Sequence, residues 1–198
     1  MSQPKSLLQM AGADPKPAAL SGASLIIIDA QNEYSTGALP LYRIDEAVAA
    51  LAALLARARE AGAHIVHVAH KGRPGGLFDR AAENGRIMDA VRPLDGETVV
   101  EKGMPNAFAD TELNDVLKAA GSRPLLLAGF MTHMCISSTA RAAGDLGYAT
   151  TIAADCCTTR DLPNPLGGVM EAGILHEAAL AGLADRFACV TRSADIPQ

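Results

Sequence analysis

The sequence predicts an α/β fold in which a parallel sheet carries helices on both faces. Short apolar runs rich in β-branched residues alternate with longer segments of helical period. Continuous apolar runs are typical of strands buried on both faces, and their alternation with helices is typical of a parallel sheet. The chain can bury a large core, because 49% of its 198 residues are hydrophobic and 20% are charged. This composition excludes disorder as the main state.

Six runs are expected to form the strands, and five segments are expected to form helices. The runs are 25–28, 64–69, 98–100, 124–128, 150–153 and 186–190, and the helical segments are 44–61, 85–91, 110–120, 133–146 and 167–184. Asp110 is a candidate N-cap of the third helix, and Gly121 and Gly147 are candidate helix ends. We expect a polar N-terminal arm over residues 1–20 and a single domain over residues 21–198.

Several classes of partner are disfavoured by composition. The formal net charge is −5 with no basic run, and aromatic residues make up 4%, so we expect no nucleic acid partner. No apolar stretch approaches the roughly 20 residues of a membrane span, and the first residues do not read as a signal peptide. We therefore expect a cytoplasmic protein without a membrane partner. The cysteines lack C-x-x-C spacing, which argues against disulfides and structural zinc; they are Cys135, Cys156, Cys157 and Cys189.

Three chemically capable residues follow predicted strands, where ligands bind in open α/β sheets. Asp29 follows LIII, Lys102 follows TVVE, and Cys135 lies in the first turn of the helix that follows LLLAGF. Singly, these residues could be a cap, a solvated lysine and a core thiol. Together they provide the nucleophile, proton carrier and cation that acyl transfer requires. The helix N-terminus and a nearby lysine predict a Cys135 thiol pKa below the usual value of about 8.5.

Three stretches carry a resemblance to a known family. They read LIIIDAQNEY, VVEKGMPNAFADTELNDVL and LLLAGFMTHMCISSTARAAGDLGYATTIAADCCTT. Over residues 25–191 the chain resembles the isochorismatase-like cysteine hydrolases. The third stretch is the most specific, because six of its residues fall in the family's spacing: Gly129, Thr132, Cys135, Thr139, Ala143 and Gly147. The resemblance implies a Rossmann-like three-layer α/β/α fold with a six-stranded, mainly parallel sheet.

The resemblance also implies a role for each of the three residues. Cys135 would be the nucleophile that attacks an amide or ureide carbonyl, Asp29 would carry the proton, and Lys102 would hold both in register. A cis peptide would join Phe130 to Met131, so that the backbone N–H groups of Met131 and Cys135 form the oxyanion hole. The implied substrate is a small amide, no cofactor is implied, and a homodimer or homotetramer is expected.

Other residues are candidates for the substrate pocket. Tyr34, Asn106 and Phe108 are placed near the substrate by the resemblance, and His70 by its position at a strand end. Packing is an equal alternative for Tyr34 and Phe108. Arg73 and Arg80, in the loop 71–80, could each bind an acidic substrate group, or could be solvated surface residues.

A metal site is not expected. Nicotinamidases of this family bind a metal through an Asp-x-His pattern with further histidines, which suggests inspecting His64, His67 and His70. On a strand, His64 and His70 would share a face but lie roughly 20 Å apart, and His67 would point to the other face. A single ion could not join them.

Two alternatives to an amidohydrolase stay open at this point. The first is a vinyl-ether or ester hydrolase of the isochorismatase type that uses the same pocket with Asp29 as the acid. Its turnover would survive loss of Cys135. The second is a protein without enzymatic activity in which Cys135 senses oxidants. This alternative leaves Asp29 and Lys102 without a task.

Overall fold

The computed structural model describes residues 3–198 and contains a six-stranded sheet and a separate two-stranded hairpin. The order of the large sheet is β3-β2-β1-β4-β5-β8, and each neighbouring pair in it is parallel. The hairpin joins β6 to β7 in antiparallel register. The strands are β1 (Ser24–Ile28), β2 (His64–His70), β3 (Thr98–Lys102), β4 (Leu125–Phe130), β5 (Thr150–Thr158), β6 (Leu162–Pro163), β7 (Val169–Met170) and β8 (Cys189–Thr191).

Helices cover both faces of the sheet, which confirms the predicted fold class. They are α1 (Leu7–Met10), α2 (Ile44–Glu60), α3 (Leu113–Ala119), α4 (Ser137–Asp145) and α5 (Ala172–Arg186). Leu25 and Ile27 of β1 pack in the cluster that contains the buried leucines of α2. Ile26 and Ile28 belong to the opposite cluster, which includes residues of α3, α4 and α5. The alternating sides of one strand therefore bury two separate apolar layers.

Helix α2 follows from its own sequence. Leu51, Leu54, Leu55 and Ala58 are buried, and this spacing forms one helical face toward the sheet. Acidic residues occupy its first turn and arginines its last, as the helix dipole favours. Gly62, with φ 67°, lies just beyond the helix in the left-handed conformation that is common after a helix.

Two predicted helices differ from the structure. Segment 85–91 forms no α-helix; it contains 3-10 turns at Glu83–Gly85 and Asp89–Val91. Between these turns Ile87 bridges to Gln31, and this tertiary contact replaces the local helix. Asp110 is not an N-cap, because α3 begins at Leu113 with Glu112 in the cap position.

The last predicted helix and the fifth strand also have different bounds. Helix α5 starts at Ala172, since residues 169–170 pair with residues 162–163 in the hairpin. Strand β5 continues to Thr158 beyond an irregularity opposite residues 127–129 of β4. This extension carries the chain to the edge of the sheet where β4 ends.

The N-terminal arm packs against the domain. The Leu7 N–H donates to Asp185 Oδ1 at 2.8 Å, and the Ala18 N–H donates to Thr151 Oγ1 at 3.0 Å. A cavity of about 790 Å³ lies between this arm and the amino-terminal ends of β5 and β8. The boundary between arm and domain stays a prediction. Within residues 3–198, no helix is long and apolar enough to cross a membrane.

Candidate active site

The three predicted site residues meet at the carboxyl edge of the sheet. Asp29 directly follows β1 in a left-handed conformation with φ 52°, and its N–H donates to the Val68 carbonyl at 2.8 Å. Lys102 is the last residue of β3. Cys135 lies in a π-helical turn, Thr132–Ile136, that leads from β4 into α4. The predicted position at the start of a helix is confirmed.

Lys102 is the centre of this cluster. Its Nζ is 2.7 Å from Asp29 Oδ2, 3.4 Å from Cys135 Sγ and 3.4 Å from His70 Nδ1. Asp29, Lys102 and Cys135 are buried, with 0%, 1% and 4% of their surface exposed. The contacts with Cys135 and His70 have hydrogen-bond geometry, and the contact with Asp29 is an ion pair. Asp29 Oδ1 has no hydrogen-bond partner within residues 3–198, so this oxygen is available to accept a proton.

The protonation states differ from the expectation for Cys135. Burial, and then the charge of Asp29, raise the pKa of the Cys135 thiol to about 12 against the opposing effect of Lys102. The predicted low thiol pKa is therefore wrong, because a helix N-terminus and one cation do not offset desolvation beside a carboxylate. Burial also raises the pKa of Asp29, although Lys102 opposes this. The thiol is thus protonated at rest, and the carboxylate beside it accepts a proton more readily than a solvated one.

The turn that carries Cys135 is fixed by the ends of neighbouring elements. A cis peptide joins Phe130 to Met131, at the predicted position. Thr132 Oγ1 lies 2.9 Å from His176 Nδ1 of α5, and His133 Nδ1 lies 2.5 Å from Thr159 Oγ1 beyond β5. Sequence reasoning missed both contacts, since nothing local to either residue identifies its partner. The oxyanion role of the Met131 and Cys135 N–H groups stays a prediction.

Tyr34 and His70 line the same region. The Tyr34 ring is buried with edge contacts to Phe78 and Phe130, at centroid distances of 5.0 and 6.0 Å. The His70 ring contacts Phe78 at 5.2 Å. Burial, and then the charge of Lys102, lower the pKa of His70, so this imidazole is neutral and accepts from Lys102 through Nδ1. Their contact with substrate stays a prediction.

Asn106 and Phe108 make local contacts. Asn106 Oδ1 accepts from the Phe108 N–H at 3.0 Å. The Phe108 ring stacks on Tyr148, with centroids 6.1 Å apart, and Tyr148 lies in the loop before β5 at the amino-terminal edge. The stacking of Phe108 on Tyr148 agrees with the packing alternative given for Phe108 in the sequence analysis. Substrate contact by these two residues stays a prediction.

Two buried polar residues were missed in the first motif. Gln31 donates through Nε2 to the carbonyls of His70 and Gly85, and accepts the His70 N–H through Oε1. Glu33 accepts the Ala38 N–H at 2.6 Å and the Phe78 N–H at 3.3 Å. They join the loop after β1 to the loop after β2. The available signal was four polar residues, Asp29, Gln31, Asn32 and Glu33, within the first five positions after a buried strand.

The other histidines of β2 and the other thiols have separate partners. His64 Nδ1 is 3.0 Å from Ser24 Oγ, and His67 Nε2 is 2.9 Å from Glu97. Over residues 3–198 the structure contains no group of three or more His, Cys, Asp or Glu residues that could hold a metal ion. Cys156 and Cys157 are buried, and Cys189 is half-buried.

Fold and site together define a class of protein: an α/β/α enzyme with a thiol, an ammonium and a carboxylate buried at the carboxyl edge of its sheet. The chain belongs to the isochorismatase family, whose Isochorismatase domain matches residues 23–195. Members of this family are hydrolases, and amidohydrolases are among them.

Three relatives illustrate this membership. A solved structure of an isochorismatase from Pseudomonas putida KT2440 has a TM-score of 0.94 and 45% identity, covering 98% of this chain and all of that chain. The secreted isochorismatase effector Isc1 of Verticillium dahliae is 37% identical over 96% of this chain and 98% of its own length. Maleamate amidohydrolase of Pseudomonas putida is 33% identical over 69% of this chain and 72% of its own length.

Proposed function

We propose that this protein is a cysteine amidohydrolase that cleaves a C–N bond of a small amide or ureide through a thioester. One observation carries the proposal: the buried contacts of Lys102 with the Asp29 carboxylate and the Cys135 thiol. A nucleophile, a proton carrier and a compensating cation are what amide hydrolysis requires. The name of the relative maleamate amidohydrolase supports the same bond type.

The acylation half of the reaction begins with the protonated thiol. As Cys135 Sγ attacks the amide carbon, its proton passes to Asp29, whose Oδ1 is free to accept it. The positive charge of Lys102 offsets the negative charge that Sγ and the carbonyl oxygen acquire. The N–H groups of Met131 and Cys135 donate to that oxygen. Asp29 then donates this proton to the leaving nitrogen, the C–N bond breaks, and ammonia or an amine departs.

The second half hydrolyses the thioester. Asp29, again a carboxylate, removes a proton from a water molecule that attacks the acyl carbon. The C–S bond breaks, and the proton on Asp29 returns to Sγ. One amide and one water give one carboxylic acid and one amine, and the protein ends in its starting state. The reaction uses no cofactor or metal.

The partners and location are part of the same proposal. We expect a small-molecule substrate contacted by Tyr34, His70, Asn106 and Phe108, with no nucleic acid or membrane partner, in the cytoplasm. We also expect a homodimer or homotetramer. Its contact surface would include exposed apolar side chains of the hairpin and α5, since Val169 and Ile174 are 64% and 59% exposed. Sedimentation equilibrium measures the number of subunits.

The decisive experiment is ammonia release from a panel of small amides. The panel contains nicotinamide, maleamate, carbamoyl amino acids and biuret, each assayed with and without a chelator. Wild type, Cys135→Ala and a matched cysteine control, Cys189→Ala, are compared. Cys189 suits this purpose because it is half-buried at the opposite edge of the sheet. We expect release that requires Cys135, is unchanged in Cys189→Ala and survives chelation.

Two other results would contradict the proposal. Hydrolysis of a vinyl ether or ester that persists in Cys135→Ala would favour the isochorismatase-type reaction with Asp29 as the acid. Loss of activity with the chelator, restored by added metal, would show that catalysis uses a metal ion. In contrast, an acyl group detected by mass spectrometry on the peptide that contains Cys135 would exclude the sensor alternative.

A further inference from the structure

The turn that carries Cys135 depends on support from other elements. It is the π-helical segment Thr132–Ile136, and π-helical turns are rare and are often found at functional sites. Among residues 3–198, the N-cap position, Met131, supplies no side-chain hydrogen bond to the turn. The Met131 carbonyl accepts the N–H groups of both Met134 and Ile136, at 3.0 and 3.2 Å. We therefore expect contacts from outside the turn to determine where it lies.

One such contact comes from helix α5. Thr132 is the first residue of the turn and is fully buried, and its Oγ1 lies 2.9 Å from Nδ1 of His176 in the second turn of α5. Burial lowers the pKa of His176, although the charge of Glu177 opposes this, so the imidazole is neutral at pH 7. Its Nδ1 can then accept the proton of the Thr132 hydroxyl, which would be costly to bury without a partner.

A second contact supports the turn from another element. His133 Nδ1 lies 2.5 Å from Oγ1 of Thr159, which follows β5. Two successive residues at the start of the turn are therefore joined to two different parts of the fold. When the contact of His176 is removed, that of His133 still holds the turn near its place. We expect such variants to fold with a displaced turn.

The catalytic cluster has little tolerance for that displacement. Cys135 is three residues after Thr132, and its Sγ lies 3.4 Å from Lys102 Nζ. Asp29 follows β1 and Lys102 ends β3, and both strands are paired within the sheet, so they cannot follow a shift of the turn. A misplacement of about 1 Å can lower a catalytic rate by on the order of 100-fold. The position of the turn is therefore important for acyl transfer.

We propose that His176 is a positioning residue for the nucleophile. Its imidazole holds Thr132, and Thr132 holds the turn so that Cys135 Sγ stays beside Lys102 and Asp29. In this role His176 neither transfers a proton nor contacts the substrate. Its effect on turnover rests on the proposed amidohydrolase function, whereas its effect on the Cys135 thiol can be measured without any substrate.

The test uses substitutions that remove or keep the acceptor at Nδ1. His176→Leu removes the acceptor, and Thr132→Val removes the hydroxyl with little change of shape. His176→Asn is the conservative variant, because its side-chain oxygen can lie close to the position of Nδ1. The matched control is His64→Leu. His64 is also half-buried, and its Nδ1 lies 3.0 Å from a hydroxyl oxygen, Ser24 Oγ, at the amino-terminal edge of the sheet.

The first measurement is alkylation of Cys135 by iodoacetamide at pH 8. In the wild type this thiol is buried and its pKa is about 12, so a displaced and better solvated thiol should react faster. We expect the rate to rise about 3- to 10-fold in His176→Leu and in Thr132→Val, which corresponds to a fall of the thiol pKa by about half a unit to one unit. The double variant should show no further rise, since both substitutions remove the same contact. His176→Asn and His64→Leu should react like the wild type.

The second measurement is steady-state kinetics with an amide that the wild type hydrolyses. His176→Leu and Thr132→Val should lower kcat by about 10- to 100-fold and change KM by less than about threefold, because the misplaced group is the nucleophile. His176→Asn should retain most of kcat, and its kcat relative to wild type should be constant from pH 6 to 9. His64→Leu should leave both constants unchanged.

Three results would overturn the inference. They are alkylation rates in His176→Leu and Thr132→Val equal to that of the wild type, additive effects in the double variant, and a loss of kcat in His176→Asn that varies with pH, which would make His176 a proton carrier. Thr132→Val examines the contact from its other partner, so the outcome does not depend on the folding of one variant.

The two proposals fail in different ways. Faster alkylation in His176→Leu and Thr132→Val, without Cys135-dependent hydrolysis of any amide, would support the positioning role and contradict the amidohydrolase proposal. Unchanged alkylation together with Cys135-dependent hydrolysis would overturn the role of His176 and leave the proposed function standing.

Discussion

At the residue scale, Lys102 is the feature with the largest energetic consequence. It is among the largest fully buried side chains, and burial of an ammonium is tolerated only with close partners. The sequence predicted Asp29, Lys102 and Cys135 because each follows a strand. It could not predict that His70 completes the contacts of Lys102, since that depends on the register of β2 with β3, in which these two residues pair.

Replacement of Lys102 by methionine should destabilise the fold and abolish turnover. The loss of unfolding free energy should be about 3–5 kcal/mol, because Asp29 is left as an uncompensated buried charge. The double variant Asp29→Asn with Lys102→Met removes both charges and should recover most of that stability without activity. Urea denaturation measures both effects. A single variant as stable as wild type would contradict the buried ion pair.

Alkylation of Cys135 by iodoacetamide should follow its raised pKa. Since the pKa is about 12, the rate should rise with pH from 7 to 10 without a plateau. Asp29→Asn removes the negative charge that disfavours the thiolate, so its pKa falls and the rate at pH 8 should increase about tenfold or more. Mass spectrometry of the Cys135 peptide follows the reaction. A plateau near pH 7 in the wild type would restore the low-pKa expectation.

At the scale of elements, most strands of the large sheet were predictable, whereas the hairpin, some helix ends and the start of β8 were not: the run expected over 186–190 begins as the end of α5, and β8 starts at Cys189. Apolar runs such as LIII and LLLA determine buried strands by composition alone. Segment 85–91 failed because Gln31, distant in sequence, bridges to Ile87. Similarly, the π-helical turn around Cys135 depends on contacts with α5 and with the residue after β5. Local propensity contains no information about such contacts.

Gly129 should be intolerant of any side chain. It has φ 116°, and a Cβ there would lie 2.1 Å from the Ile28 carbonyl oxygen of the neighbouring strand. Gly129→Ala should therefore cost at least about 3 kcal/mol of unfolding free energy and reduce activity, because β1 and β4 carry Asp29 and the nucleophile turn.

Gly121→Ala is the matched control for this substitution. Gly121 has φ 89° but open space around it, so only the backbone conformation is penalised, by about 1–2 kcal/mol. Activity should be retained. Equal losses of stability in the two alanine variants would show that the close approach at Gly129 is unimportant.

At the scale of the whole molecule, the two edges of the sheet have different tasks. The catalytic cluster occupies the carboxyl edge, while the N-terminal arm covers the amino-terminal edge through Leu7 and Ala18. The sequence predicted an arm over residues 1–20 but not the contacts that residues of this segment make. Polar segments of this kind contain no periodicity that would indicate a docking surface.

Removal of residues 3–16 should affect stability and leave turnover intact. The melting temperature should fall by roughly 2–4 °C for each kcal/mol of arm contacts that is lost. Cys189 should react faster with a thiol reagent, because it lines the cavity beneath the arm. Differential scanning fluorimetry and thiol titration measure these changes. A large loss of ammonia release would contradict the separation of the two edges.

The two hydrogen bonds that Glu33 accepts have a consequence for engineering the substrate range of the protein. One carboxylate accepts backbone N–H groups from both loops, at Ala38 in the loop after β1 and at Phe78 in the loop after β2. A library that varies residues 39–42 and 73–77 but keeps Glu33 changes the two loops while their hydrogen bonds to Glu33 stay in place. Variants selected for new substrates should accumulate there, and randomising Glu33 itself should yield mostly inactive clones.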